Sequence, residues 1–138
     1  MKRVTVLGLV VSLAVPLAVS ALLSQTALGD EVRHLMFPSD LIGTWALNDE
    51  QCTAKDKSNI HIDGAKYGDG AGSCDVRWIV ETAVPKGANY AVHAECTSAS
   101  LPPKTQTVNI IIRPQDKDHA TMGRSFDDMK TYQRCPAG

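Results

Sequence analysis

After residue 40, hydrophobic and polar positions alternate along the chain, and no stretch keeps a helical period. In the segment 88–96, Tyr90, Val92, Ala94 and Cys96 share one face, while the residues between them are mostly polar. Such alternation predicts strands that are buried on one side. The pattern predicts seven strands, over residues 42–47, 59–63, 74–81, 88–96, 105–113, 119–122 and 129–134.

Glycine and proline separate these segments at hairpin spacing. Residues 63–73 hold four glycines and are predicted to form a flexible loop, while Pro85 and Gly87 mark a tight turn. In 74–81, the alternation places Val76 and Trp78 on the inner face. The predicted fold class is all-β, a small antiparallel meander of seven to eight strands that closes into a barrel or sandwich, because closure removes exposed sheet edges.

Three segments make up the predicted domain organisation. Residues 1–29 read as a signal peptide, with Lys2 and Arg3 before an apolar run and small residues before a cut after Gly29. A cut after Ala21 and an uncleaved membrane anchor are the alternatives. Residues 30–40 form an arm without a regular pattern, and residues 41–138 form the β-domain. We therefore expect a periplasmic or secreted protein, free of the membrane once the signal is cleaved.

The charge balance excludes one class of partner. Removing the signal leaves twelve basic and fifteen acidic residues among 109, a net charge of −3. A mildly acidic chain without a basic patch does not have the composition of a nucleic-acid-binding protein. We expect a monomer.

Export also predicts the state of the four cysteines. An even number in an oxidising compartment favours two disulfides over a four-cysteine zinc site, since no two cysteines are close enough in sequence for a zinc knuckle. Cys74 and Cys96 are equidistant from Pro85, so a hairpin turned there places them opposite each other. The meander brings Cys52 and Cys135 to its other end. We predict the pairs Cys74–Cys96 and Cys52–Cys135.

Little in the chain suggests catalysis. His61 with Asp63 and His93 with Glu95 each place a histidine and a carboxylate on one strand face, but a solvated surface has the same composition. Known motifs for a nucleophilic serine, a zinc protease or a phosphate loop are missing from the sequence. We predict no enzymatic activity, no catalytic residues, no metal and no cofactor.

Gly43-Thr44-Trp45 at the first strand and Arg134 near the last one resemble the Gly-x-Trp signature of lipocalin-like barrels. The size and the order of elements over residues 35–47 are similar to Inh-type inhibitors of bacterial secreted metalloproteases. The resemblance implies that Trp45 closes the barrel floor under Arg134. The segment ending in Tyr132-x-Arg134-Cys135 also resembles uncharacterised cysteine-rich exported proteins of alphaproteobacteria.

The arm supplies the candidate contact surface. It carries Val32, Leu35, Met36 and Phe37 outside any predicted strand, and exposed apolar side chains in a row are typical of partner sites. In the inhibitor family, such an arm enters the protease as an extended peptide. The leading hypothesis is therefore a protein-binding domain, and its most specific version is a protease inhibitor. Alternatives are an arm folded over the barrel end as a lid, or a carrier of small apolar ligands with Trp78 lining its cavity.

Overall fold

A computed structural model describes residues 31–137 of the chain. Within this range there are nine strands, one α-helix and two short 3-10 helices. The strands are β1 (Glu31–His34), β2 (Gly43–Ala46), β3 (Ile60–Asp63), β4 (Lys66–Asp69), β5 (Gly72–Val84), β6 (Gly87–Ser98), β7 (Thr105–Pro114), β8 (His119–Gly123) and β9 (Lys130–Arg134). The helix α1 spans Asp49–Ala54, and the 3-10 helices span Ser39–Leu41 and Phe126–Asp128.

Strands β2 to β9 form an antiparallel meander that closes on itself. Each strand pairs with the next in sequence, and β9 pairs back with β2 through Trp45↔Arg134 and Ala46↔Gln133. The result is an eight-stranded barrel with β1 as an additional strand. The predicted all-β meander is confirmed, and the barrel is the form it takes.

The arm is more ordered than its sequence predicts. β1 pairs antiparallel with the far part of β5, from Glu31↔Thr82 to His34↔Ile79. β4 occupies the first part of the same β5 edge, from Asp75 back to Gly72. Because β5 is thirteen residues long, it extends past β4 and offers β1 a free edge. The expectation of an irregular arm was wrong, since this strand depends on a partner distant in sequence.

Two further elements depart from the predicted pattern. Residues 66–69 form β4 where the glycines predicted a loop. Gly72 is still required, since its φ is +156° and a Cβ there would lie 2.1 Å from the Thr97 carbonyl oxygen. Helix α1 is only six residues long, too short to show a helical period, and its N-cap Asn48 accepts the Gln51 backbone N–H at 2.9 Å.

A β-bulge changes which side of β5 faces the core. The register shifts between Val76 and Trp78, so Ile79 is fully buried while Trp78 is 37 % exposed. The predicted inward position of Trp78 is therefore wrong, because one extra residue moves every later side chain to the opposite face. On β6 the predicted alternation is confirmed. The barrel interior is filled by Trp45, Ile60, Ile62, Tyr67, Cys74, Val76, Ile79, Tyr90, Val92, Ala94, Cys96, Ile110, Ile112, Ala120 and Met122.

Both predicted disulfides are present. Cys74–Cys96 joins directly opposed residues of β5 and β6 inside the core, and Cys52–Cys135 ties α1 to the segment after β9. Two disulfides are typical of proteins in an oxidising environment. The predicted signal peptide lies outside the described residues. None of the helices within residues 31–137 has the length and apolar character needed to cross a membrane.

Candidate functional site

Trp45 plugs one end of the barrel under Arg134. The indole is 1 % exposed, and its Nε1–H donates to the Leu41 carbonyl at 3.0 Å. The Arg134 guanidinium lies 4.3 Å from the ring centroid. It also donates to the backbone carbonyls of Ile42 at 2.7 Å and of Asp40. This is the arrangement that the Gly-x-Trp segment led us to expect.

Phe37 anchors the arm across this same end. Its backbone N–H donates to the Gly64 carbonyl at 2.8 Å, in the turn between β3 and β4. That bond turns the chain so that the phenyl ring enters the core, where it is 5 % exposed beside Leu41 at 2 %. Phe37 is therefore not a surface contact residue, and its predicted exposure was wrong. At Phe37 the arm therefore packs into the barrel end, which is the part of the lid alternative that the buried ring supports.

The rest of the arm remains at the surface. Val32 is 47 % exposed, Leu35 72 % and Met36 62 %. The backbone carrying them is held by β1, and the His34 ring lies 2.6 Å from the Glu81 carboxylate on the neighbouring strand. Three of the four predicted contact residues thus form an exposed apolar group on an ordered backbone.

A cleft of about 480 Å³ opens beside the arm at the same barrel end. The residues that line it include Trp45, Tyr90, Lys86 and the two carboxylate residues Asp40 and Glu81. Burial raises the pKa of the Tyr90 phenol, and the two carboxylates raise it further. The phenol therefore stays neutral at physiological pH and can donate a hydrogen bond.

A second cleft, of about 550 Å³, lies outside the barrel between α1 and strands β2 and β3. The Cys52–Cys135 disulfide and His61 line it. Asn59, which is 2 % exposed, donates from Nδ2 to the Gln51 carbonyl at 3.0 Å. Its Oδ1 accepts no hydrogen bond from the described residues. This atom is also shielded from solvent, so it is not exposed to the cleft as a binding group. Asn59 therefore acts as a structural link between α1 and β3.

The histidine–carboxylate pairs do not come together. His61 lies on β3 and His93 on β6, and β4 and β5 separate these strands in the sheet. Asp116 accepts the backbone N–H of Asp118 and contacts the His119 ring at 3.0 Å, which together lower the pKa of its carboxyl. Within residues 31–137 no three metal-ligating side chains are grouped.

Sequence reasoning missed two parts of this site. The Leu41 carbonyl, which accepts the indole N–H, is a backbone group, so the identity of the side chain at this position does not predict the bond. The contact of His34 with Glu81 depends on the pairing of β1 with β5, which the local pattern does not contain.

The chain matches no known protein family, no curated protein and no solved structure.

Proposed function

We propose that this protein is an exported, non-enzymatic protein-binding domain whose contact surface is the exposed part of its N-terminal arm. The observation that supports it is the group of Val32, Leu35 and Met36, exposed on a backbone that β1 and Phe37 hold in place. Because the backbone that carries these side chains is already ordered, the segment loses less conformational freedom on binding than a flexible one would. The signal-like segment and the two disulfides support residence in the periplasm or outside the cell.

The β1 edge suggests how a partner would be held. Among the described residues, β1 is paired with β5 on one side and has no strand on the other. An extended segment of a partner can add there through backbone hydrogen bonds, while Leu35 and Met36 fill neighbouring pockets. Secreted proteases bind extended peptides at a sheet edge, so inhibition of a secreted protease is the most specific version of the proposal.

The packed interior argues against the carrier alternative. The inner face is filled by buried side chains and by the Cys74–Cys96 disulfide. The two clefts described above lie at the barrel end and outside its wall, where surface residues line them. Small barrels have interiors just wide enough for their own side chains, and this one follows that rule.

The test is inhibition of a panel of secreted endopeptidases, zinc metalloproteases among them, by the disulfide-bonded protein. Leu35→Asp with Met36→Asp should weaken inhibition at least about tenfold, since it places charges in apolar pockets. The control is Leu101→Asp, because Leu101 is 93 % exposed in the β6–β7 loop, away from the arm. Equal inhibition by the arm variant would reject the arm as the contact surface, and no inhibition of any protease would reject the inhibitor form.

A further inference from the structure

The outer wall of the barrel carries a row of apolar residues across β5, β6 and β7. Val80 lies opposite Ala91, which lies opposite Ile111, and Gly123 of β8 continues the row. Ala91 is exposed, and Val80 and Ile111 are half-buried. The solvent face of an antiparallel sheet normally carries polar side chains at such positions. Burial in the core therefore does not account for these apolar residues on the outer wall.

An aromatic side chain and an arginine flank the row at each end. At the β1 end, Trp78 stacks on His93 with ring centroids 4.7 Å apart, and the Arg33 guanidinium lies 5.7 Å from the indole. At the β7 end, the Arg113 guanidinium lies 4.9 Å from the Phe126 ring. Phe126 is 67 % exposed.

Both arginines keep their charge available. Within residues 31–137, neither Arg33 nor Arg113 forms an ion pair with a carboxylate, whereas Arg77 is paired with Glu95 on the same wall. A cation stacked on an aromatic ring is held in place without being neutralised. Tryptophan, phenylalanine and arginine around an apolar centre are the residues enriched in protein interfaces.

We propose that this outer face, made of Arg33, Trp78, Ala91, Ile111 and Arg113, binds an acidic segment of another protein. The arginines lie three strand spacings apart, about 14 Å across the sheet. A segment with two carboxylates at about that separation and an apolar residue between them would pair with both arginines and cover Ala91. This surface lies on the opposite side of β1 from Val32, so it does not depend on the proposed arm contact.

A protein segment fits this face better than a membrane or a second copy of the chain. Anionic membranes attract clusters of four to eight basic residues, and this face has two arginines on a chain of net charge −1. A two-fold dimer through the same face would bring like charges toward each other. The occupant inferred here is therefore acidic and proteinaceous.

The experiment is selection of a random peptide library, displayed on phage, against the folded protein. The enriched peptides should carry paired acidic residues around an apolar one. The peptide that binds most tightly is then synthesised and titrated against each variant. Arg33→Glu with Arg113→Glu should weaken the binding of this peptide at least about tenfold. The milder variant Arg33→Gln with Arg113→Gln should give a smaller loss of affinity. It keeps the test valid if the charge reversal prevents folding.

A matched control distinguishes binding to this face from a general effect of the protein's net charge. Lys57→Glu with Lys104→Glu changes the net charge equally at two exposed loop positions, and it should alter affinity by less than about twofold. Peptides without acidic residues, or equal binding by the arginine variants, would overturn the proposal. Arginine-dependent binding to vesicles of anionic phospholipid, or arginine-dependent dimerisation in sedimentation, would assign the face to a membrane or to a second copy and overturn it equally.

Discussion

Replacing Arg134 by lysine tests whether the planar guanidinium, rather than its charge, holds the barrel end closed. The side chain donates to three backbone carbonyls, those of Asp40, Ile42 and Lys117, while it stacks on Trp45. Lysine keeps the positive charge but cannot reach three carbonyls in one plane.

The size of the effect follows from these contacts. A hydrogen bond from a charged donor contributes about 1.5–3 kcal/mol net to stability, and the cation–ring contact about 0.5–2 kcal/mol. Arg134 is half-buried, so water recovers part of what is lost. Arg134→Lys should therefore lower the free energy of unfolding by about 1–2 kcal/mol, and Arg134→Ala by about 2–4 kcal/mol.

Urea unfolding measures this loss, and indole hydrogen exchange localises it. The Trp45 indole N–H, bonded to the Leu41 carbonyl, should exchange faster in Arg134→Lys, while that of the exposed Trp78 should not change. Arg77→Lys is the control, because Arg77 pairs with Glu95 on the outer wall. An unfolding midpoint and a Trp45 exchange rate equal to the wild type in Arg134→Lys would refute the role of the planar fork.

Three further results are expected. Phe37→Ala should destabilise the protein by about 3–5 kcal/mol in urea unfolding, whereas Leu35→Ala should have little effect, because only the phenyl ring is buried. Replacing Cys52 and Cys135 by alanine should cost about 4–5 kcal/mol, since that bond closes a loop of 83 residues, and an unchanged melting temperature would contradict it. Burial, followed by the charge of a nearby aspartate, raises the pKa of Tyr67 above its ordinary 10.0; the unfolded state therefore loses its proton first, and stability should fall as pH rises above 10.0, less steeply in Tyr67→Phe.

The meander was predictable because it rests on local alternation, which β6 shows in four inward residues. The Cys74–Cys96 pair was predictable because the two cysteines are equidistant from Pro85, although its register has a second cause. The turn pairs Val84 with Gly87, and the β5 bulge then shifts the register by one residue, so that Cys74 lies opposite Cys96. Burial on one face leaves a direct trace in the sequence.

The bulge in β5 left no such trace. Alternation through Arg77 and Trp78 continues as if the strand were regular, so the pattern predicts Trp78 in the core. Only the pairing with β6 shows that one residue is extra and that Ile79 is the one facing inward. The outer face proposed above follows from this shift, which is why no local pattern predicts it.

The arm was predicted in part for a similar reason. Its apolar residues look equivalent in sequence, yet Phe37 is buried and Leu35 is not. What separates them is the hydrogen bond from Phe37 to Gly64, a contact between distant segments. Exposure along an irregular segment depends on where the chain turns, and tertiary contacts decide that.

The seam between β2 and β9 sets the order in which the barrel can be completed. It consists of two opposed residue pairs and a hydrogen bond from the Cys135 N–H to the Thr44 carbonyl, and the disulfide to Cys52 fastens it. Arg134 ends β9, the last of the described barrel strands in sequence, and Cys135 follows it, so both are synthesised after the other barrel strands. Until they arrive, β2 lacks its partner on that side and is open to strand addition by other chains. A nonsense or frameshift change just before the codon of Gln133 would therefore remove the strand seam, the disulfide and the arginine over Trp45 in a single event.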